Sequence, residues 1–167
     1  FEIPMTDVTE PHLSASAVIS RIKDGYDEIL LGHRVSEMPS FPDFWTFPGG
    51  GISKVDKKLG NLYPEFLSEK GIDRIASIAL LRELVEEIGF TPDEGGNMIS
   101  ISEEIRNTVC IDKNNWLKEF ENGNIIIDSF NAKVISERET PPFGPIRFKN
   151  RFFHVAISEN NVTPTFP

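Results

Sequence analysis

The stretch Arg82-Glu83-Leu84-Val85-Glu86-Glu87-Ile88-Gly89-Phe90 ends a segment in which Ile75, Ile78, Leu81, Val85 and Ile88 recur at spacings of three and four. That period, with Asp73 as N-cap and Gly89 as the C-terminal stop, predicts a helix over 73–88. On such a helix Glu83 and Glu87 stand four apart and Glu83 and Glu86 three apart, so the three carboxylates share one face beside the apolar one. Like charges at these spacings destabilise a bare helix by a few tenths of a kcal/mol per pair. They also crowd the C-terminal end, where the helix dipole is already negative. Two explanations fit: a solvated acidic face, or a site for a cation. Hard divalent ions such as Mg²⁺ and Mn²⁺ prefer carboxylate oxygen and suit the second.

Upstream, 14–22 and 29–35 are β-branched and apolar runs separated by the turn signal Lys23-Asp24-Gly25-Tyr26-Asp27, which predicts a hairpin. Pro39 and Pro42 mark a loop, and Trp45-Thr46-Phe47 a short strand closed by Pro48 and the turn Gly49-Gly50-Gly51. Residues 52–72 show no clear period, with one or two helical turns at 64–69. Downstream, a helix is expected around 114–121, ended by Asn122-Gly123, and strands over 130–138 and 147–157. Strands, one strong helix and more strands point to an α/β or α+β sandwich.

At 167 residues the chain is one domain's worth of sequence. With 39% hydrophobic and 26% charged residues, it is not a disordered chain. A single cysteine, Cys110, excludes an internal disulfide and a zinc ribbon; it is expected to be buried and inert. No apolar run reaches the ~20 residues of a membrane span, and no secretory signal is visible. A soluble, cytoplasmic protein is the expectation. The net charge of −9 disfavours nucleic acid and anionic lipid as partners. It leaves room for an anionic small molecule if cations bridge the two. The chain starts at Phe1 and stops at Pro167 in an extended-looking stretch, as a piece of a longer protein would.

Arg82-Glu83-Leu84-x-Glu86-Glu87-x-Gly89-Phe90 resembles the second half of the Nudix box, and Trp45-Thr46-Phe47-Pro48-Gly49-Gly50 resembles the strand and turn that open it. The box runs glycine, five residues, glutamate, seven residues, then R-E-U-x-E-E-x-G-U, with U a bulky or aliphatic residue. This chain departs from it in two ways. Gly50 lies 32 positions before Arg82 instead of 14, which places about 18 extra residues at roughly 51–70. The position of the box glutamate is taken by Arg74; Asp73, Glu65 or Glu69 are the acids that could replace it. The insertion, with Glu139-Thr140-Pro141 and Pro145-Ile146-Arg147-Phe148-Lys149-Asn150-Arg151-Phe152-Phe153, resembles the peroxisomal coenzyme A diphosphatase branch, which tends to have Asp and Thr at 149 and 150.

The resemblance implies a single domain over 1–167 with a Nudix α/β/α sandwich around a mixed sheet. It implies a Mg²⁺- or Mn²⁺-dependent hydrolase that cleaves the diphosphate of a nucleoside diphosphate derivative, coenzyme A or an acyl-CoA first. The alternatives are an ADP-ribose or NADH pyrophosphatase and a non-catalytic ligand-binding domain. Carried over by position, the metal ligands are Gly49 through its carbonyl, Glu83, Glu86 and Glu87. Glu83, Glu86 and Arg82 form the catalytic set, with Arg82 structural and paired to an acid on the loop. The general base is open among Glu83, Glu86, Glu137, Glu139 and Glu159. Arg147 and Arg151 share a strand face that meets either substrate phosphates or solvent. His33 and His154 are expected to be structural, and Trp45 and Phe47 to pack in the core. The insertion, with Lys54, Lys57, Lys58 and Lys70, is expected to form a lid or rim at the site, or else a surface excursion. A homodimer is common in the family and is an expected arrangement.

Overall fold

The computed structural model describes residues 10–38, 42–62, 72–158 and 163–165. In chain order the first strands are β1 (His12–Lys23), β2 (Tyr26–Ile29), β3 (Gly32–His33), β4 (Trp45–Thr46) and β5 (Gly49–Gly51). Two helices follow, α1 (Lys54–Leu62) and α2 (Ile72–Ile88), then the strands β6 (Phe90–Pro92) and β7 (Met98–Ser100). Helices α3 (Glu103–Ile111) and α4 (Asn114–Glu121) precede β8 (Lys133–Glu139) and β9 (Phe148–Ala156). No helix among the described residues is long and apolar enough to cross a membrane.

β1 organises the molecule. Its alternation buries Ala15, Ala17 and Ile19 on one face and leaves Ser14, Ser16, Val18 and Ser20 half-buried on the other. Asp24 and Gly25, at φ 51° and 81°, form the two-residue turn that folds β2 back antiparallel, with Lys23 opposite Tyr26. β9 lies parallel to β1, and β8 runs antiparallel to β9 with an irregularity between Val134 and Ser136. The order is β2-β1-β9-β8, with β5 also on β1, so the sheet is mixed as expected. Leu30 donates to Ile19 O, but the next residues leave this sheet and β3 pairs with β4 instead. That separate ribbon explains why Trp45 and Phe47 are exposed at 66% and 39%, not packed in the core.

The glycine triplet is a strand rather than a turn: Gly49, Gly50 and Gly51 pair with Ser16, Ala15 and Ser14. A Cβ at Gly49 would run into Ala15 O and lie 2.7 Å from Ser16 Cα, so only glycine allows the approach.

α2 packs on β1 and β5, with α1, α3 and β6 against it. It is buried on nearly all sides, since Ala79, Leu80 and Leu84 are as inaccessible as Ile78, Leu81 and Val85. A helix wrapped in this way carries little amphipathic signature, and its apolar surface is wider than the single stripe expected. It begins one residue earlier than predicted, so Asp73 falls within its first turn. Gly89, at φ 73°, ends it and donates to Val85 O at 3.2 Å.

α3 and the β6–β7 ribbon were not legible as elements. α3 starts from Ser102, whose Oγ accepts from Ile105 N at 3.3 Å, with Glu103 and Glu104 in the first turn. The expected helix turns at 64–69 lie outside the described residues. Just before them α1 forms, begun by Ser53 and Asp56. Ser53 Oγ accepts from Asp56 N at 3.3 Å, and Asp56 Oδ2 accepts from Ser53 N at 2.8 Å. That reciprocal pair is a capping box with Asp in the acceptor position.

Candidate active site

Arg82 is the pivot. Its side chain is wholly buried and so is that of Asp56, which accepts from Nε and Nη2 at 3.0 Å each. Nη2 also donates to Gly51 O at 3.1 Å, and Nη1 donates to both carboxylate oxygens of Glu86 at 3.2 Å. Glu83 Oε1 lies 3.2 Å from the same Nη1. Burial by itself would lower the guanidinium pKa, but the Asp56 hydrogen bonds and the Asp56, Glu83 and Glu86 charges raise it. Arg82 is therefore a fixed cation that ties the glycine strand to the glutamate helix.

Asp56 is the acid that binds this arginine. Glu65 and Glu69 lie outside the described residues. The acid supplied by the insertion thus comes from the first turn of α1, 26 residues before Arg82. In this respect the insertion is more than a surface excursion. Its described part packs Asp56, Leu59 and Gly60 inward and braces the site from beneath. Arg74 points away and pairs with Asp128 at 3.2 Å.

Glu83 rests against the backbone of Gly50, where a Cβ would strike its carboxylate. Glu87 accepts from Gly49 N at 3.3 Å. Burial raises the pKa of both, Arg82 opposing the rise at Glu83. Glu87 is pushed up to about 7, by burial first and the Glu83 charge next, against the Gly49 N–H. The structure therefore brings Glu83 and Glu87 together beside the glycine strand and turns Glu86 toward Arg82. Three acids, Asp56, Glu83 and Glu86, surround Arg82.

This donor set suits a hard cation: carboxylate oxygen, partly desolvated, with less positive charge nearby than negative. Among the described residues no three acidic, histidine or cysteine side chains converge on one point as an enclosing cage. A Mg²⁺ site commonly needs only one or two carboxylates, because waters and substrate phosphates complete the octahedron. Glu83 and Glu87 supply that number.

The other expected residues fall elsewhere. Arg151 Nη2 is 2.7 Å from Glu137 Oε2, and Lys149 is 3.5 Å from Glu137 Oε1. Arg147 pairs with Glu139 at 3.1 Å and donates to Thr140 O. Both arginines are thus engaged by acids of β8, as are the base candidates Glu137 and Glu139 by them. Glu159 lies outside the described residues. His154 meets Ser20 Oγ at 2.6 Å, and His33 meets Asp43 O at 3.1 Å while its ring lies against Trp45. Cys110 is exposed rather than buried, because Arg106 and Val109 take the inward positions of α3. Partial burial and the Glu86 charge still push its thiol pKa up, the direction of an unreactive thiol.

Arg106 is a second residue that sequence reasoning missed. Only 5% exposed, it donates to Glu86 O at 3.1 Å, Glu87 O at 3.0 Å and Thr165 O at 2.6 Å. It satisfies the last carbonyls of α2 and places a positive charge at the negative end of the helix that carries the glutamates.

A cavity of about 380 Å³ opens at the same place, with Gly49, Glu87 and Ile88 at one end and the β3–β4 ribbon along its wall.

No family model matches the chain. A curated relative from Caenorhabditis elegans, named "Putative nudix hydrolase 7", is 28% identical over 152 residues, which is 91% of this chain. The chain spans about half of that relative's length, at 47%. A NUDIX hydrolase structure from Alicyclobacillus acidocaldarius superposes with a TM-score of 0.77 at 24% identity, over 95% of this chain and 75% of that one. A MutT/nudix family protein from Enterococcus faecalis gives 0.51 at 16% identity, over 99% of this chain and 42% of the other. The mixed sheet, the four helices among the described residues and these likenesses agree: the chain has the Nudix hydrolase fold.

Proposed function

We propose that this chain is the catalytic domain of a Mg²⁺- or Mn²⁺-dependent pyrophosphohydrolase acting on a small-molecule diphosphate, with coenzyme A or an acyl-CoA as the first substrate class. The observation that carries this is the Glu83–Glu87 pair, held buried against Gly49 and Gly50 by the Asp56–Arg82 brace. Two desolvated carboxylates in contact are unfavourable unless a cation joins them. An ion bound there supplies neutralisation of the diphosphate charge and acidifies water.

In this proposal Glu83 and Glu87 are the main ligands and the Gly49 carbonyl a backbone ligand. Glu86, oriented by Arg82, is the third ligand or the group that positions the attacking water. Arg82 acts through the carboxylates it fixes and does not touch substrate. The coenzyme A preference rests on the sequence resemblance at 139–153; ADP-ribose and NADH are the alternatives for the same chemistry.

The test is cleavage of coenzyme A, ADP-ribose, NADH and diadenosine polyphosphates with Mg²⁺, read by mass spectrometry. The Glu86→Gln, Glu87→Gln double variant serves as the blank. Cleavage that the variant abolishes supports the proposal and names the substrate. Absence of cleavage with either metal favours a domain that binds without turnover.

A further inference from the structure

A second cavity, of about 490 Å³, opens at the opposite end of β5 from the glutamates. Its volume falls within the usual range for small-molecule sites, roughly 300–1,000 Å³. Gly51 lines it, whereas Gly49 and Glu87 line the cavity at the glutamates, and the two share no lining residue.

His12 and Phe148 are direct partners in the β1–β9 ladder, so their side chains rise on the same face of the sheet. By the two-residue period this is the face opposite Ala15, Ala17 and Ile19. The two rings lie 6.0 Å apart at 47°, and Phe148 is 44% exposed. Leu13 and Ile52 add apolar wall. Lys57 supplies the charge. It follows Asp56 on α1, and where Asp56 turns inward to Arg82, Lys57 is exposed. No acidic side chain lines the cavity among the described residues, which sets it apart in a chain of net charge −9.

A lysine ammonium and an exposed aromatic ring in one cavity suit a ligand that carries both an anionic group and a flat ring. Its phosphate pairs with the ammonium, and its ring stacks on the aromatic face. A bare phosphate would leave the apolar wall uncovered. A plain hydrocarbon would desolvate the ammonium without giving it a partner. One lysine matches one phosphate group.

We propose that this cavity is a second binding site, for a nucleoside monophosphate, with Lys57 on the phosphate and Phe148 and His12 against the base. It lies apart from the glutamates and uses no metal, so it stands whether or not the chain cleaves diphosphates.

His12 and His33 report the two cavities separately, since each lines one of them. Metal-free protein is titrated with AMP and followed through its histidine ring signals by NMR, assigned with His12→Gln and His33→Gln. A saturable shift at His12 is expected. Adenosine and inorganic phosphate are expected to bind at least ~10-fold more weakly than AMP, since each lacks one of the two contacts. Lys57→Met should weaken AMP at least ~10-fold and leave adenosine within about twofold. Phe148→Ala should weaken AMP and adenosine alike, at least ~5-fold, the scale of base stacking on an aromatic side chain. The His154 signal, from a ring held by Ser20 Oγ, reports that each variant keeps its fold. No saturable shift at His12, a shift at His33 alone, AMP binding that Lys57→Met leaves unchanged, or phosphate binding as tight as that of AMP each overturns the proposal.

Discussion

Asp56→Ala tests the brace beneath the proposed metal site. Asp56 accepts four hydrogen bonds, two from Arg82 at 3.0 Å and two from Ser53 at 2.8 Å, and both charged side chains are wholly buried. Removing one partner of a buried ion pair costs about 3–5 kcal/mol, since the other charge stays behind in a low dielectric. Arg82 keeps Gly51 O and Glu86 in the variant, so the lower end, about 3 kcal/mol, is expected. For a chain of this size that is a fall in Tm of roughly 6–12 °C. Activity should fall with it, because Arg82 no longer holds the glycine strand at a fixed distance from Glu83 and Glu86. Asp56→Ala with Arg82→Met, which removes both charges, should recover part of the stability and none of the activity. Differential scanning calorimetry with a double-mutant cycle measures this. A loss within about 1 kcal/mol, the range of a surface pair, would refute the assignment of Asp56 as the partner that Arg82 requires.

Three further outcomes are expected. Glu87 has a folded pKa of about 7 against an ordinary 4.5, so the metal-free fold holds that proton more tightly than the unfolded chain. Its contribution to stability is fully present below about pH 4.5 and is lost as pH rises through about 7, a change of about 3 kcal/mol. Chemical denaturation from pH 5 to 8 should show this decline, Glu87→Gln should flatten it, and Mg²⁺ should restore stability at pH 8. Gly50→Ala places a methyl group against the Glu83 carboxylate, so hydrolysis and Mg²⁺-induced stabilisation should both drop at least ~10-fold in apparent affinity or rate, about 1.4 kcal/mol; unchanged metal response would count against Glu83 as a ligand. Arg106→Ala removes the guanidinium donor of the Glu86 and Glu87 carbonyls and leaves Glu86 O only the weak Cys110 Sγ contact at 3.8 Å; at about 1–3 kcal/mol per unsatisfied group, urea denaturation should show a loss of at least ~2 kcal/mol.

The elements that were legible in the sequence are those whose signal is local. The Asp24-Gly25 turn, the period of Ile75 to Ile88, the Gly89 stop and the Asn114–Glu121 helix each carry their own turn, cap or repeat. The three-residue strands β5, β6 and β7 do not. β5 is a strand only because β1 lies beside it, and glycine there reads as a turn until the partner is known. Glu83, Glu86 and Glu87 were legible because one helix sets their spacing. Asp56 and Arg106 were not, since each acts across the fold, 26 and 20 residues from its partners. A local sign of Asp56 did exist: Ser53-x-x-Asp56 has the spacing of a capping box. Trp45, Phe47 and Cys110 were misplaced toward the interior for a related reason. Apolar character and period two report a preference for burial, but the ribbon's position outside the main sheet decides whether burial is available.

The central claim is that Glu83 and Glu87 form a cation site built on the Asp56–Arg82 brace. Its most direct test is Mn²⁺ titration followed by the electron paramagnetic resonance signal of free Mn²⁺, in the wild type and in Glu87→Gln. The account predicts saturable binding to the wild type that Glu87→Gln weakens at least ~10-fold with the fold intact, about 1.4 kcal/mol of coordination energy. No binding to the wild type, or equal affinity in the two proteins, would contradict it.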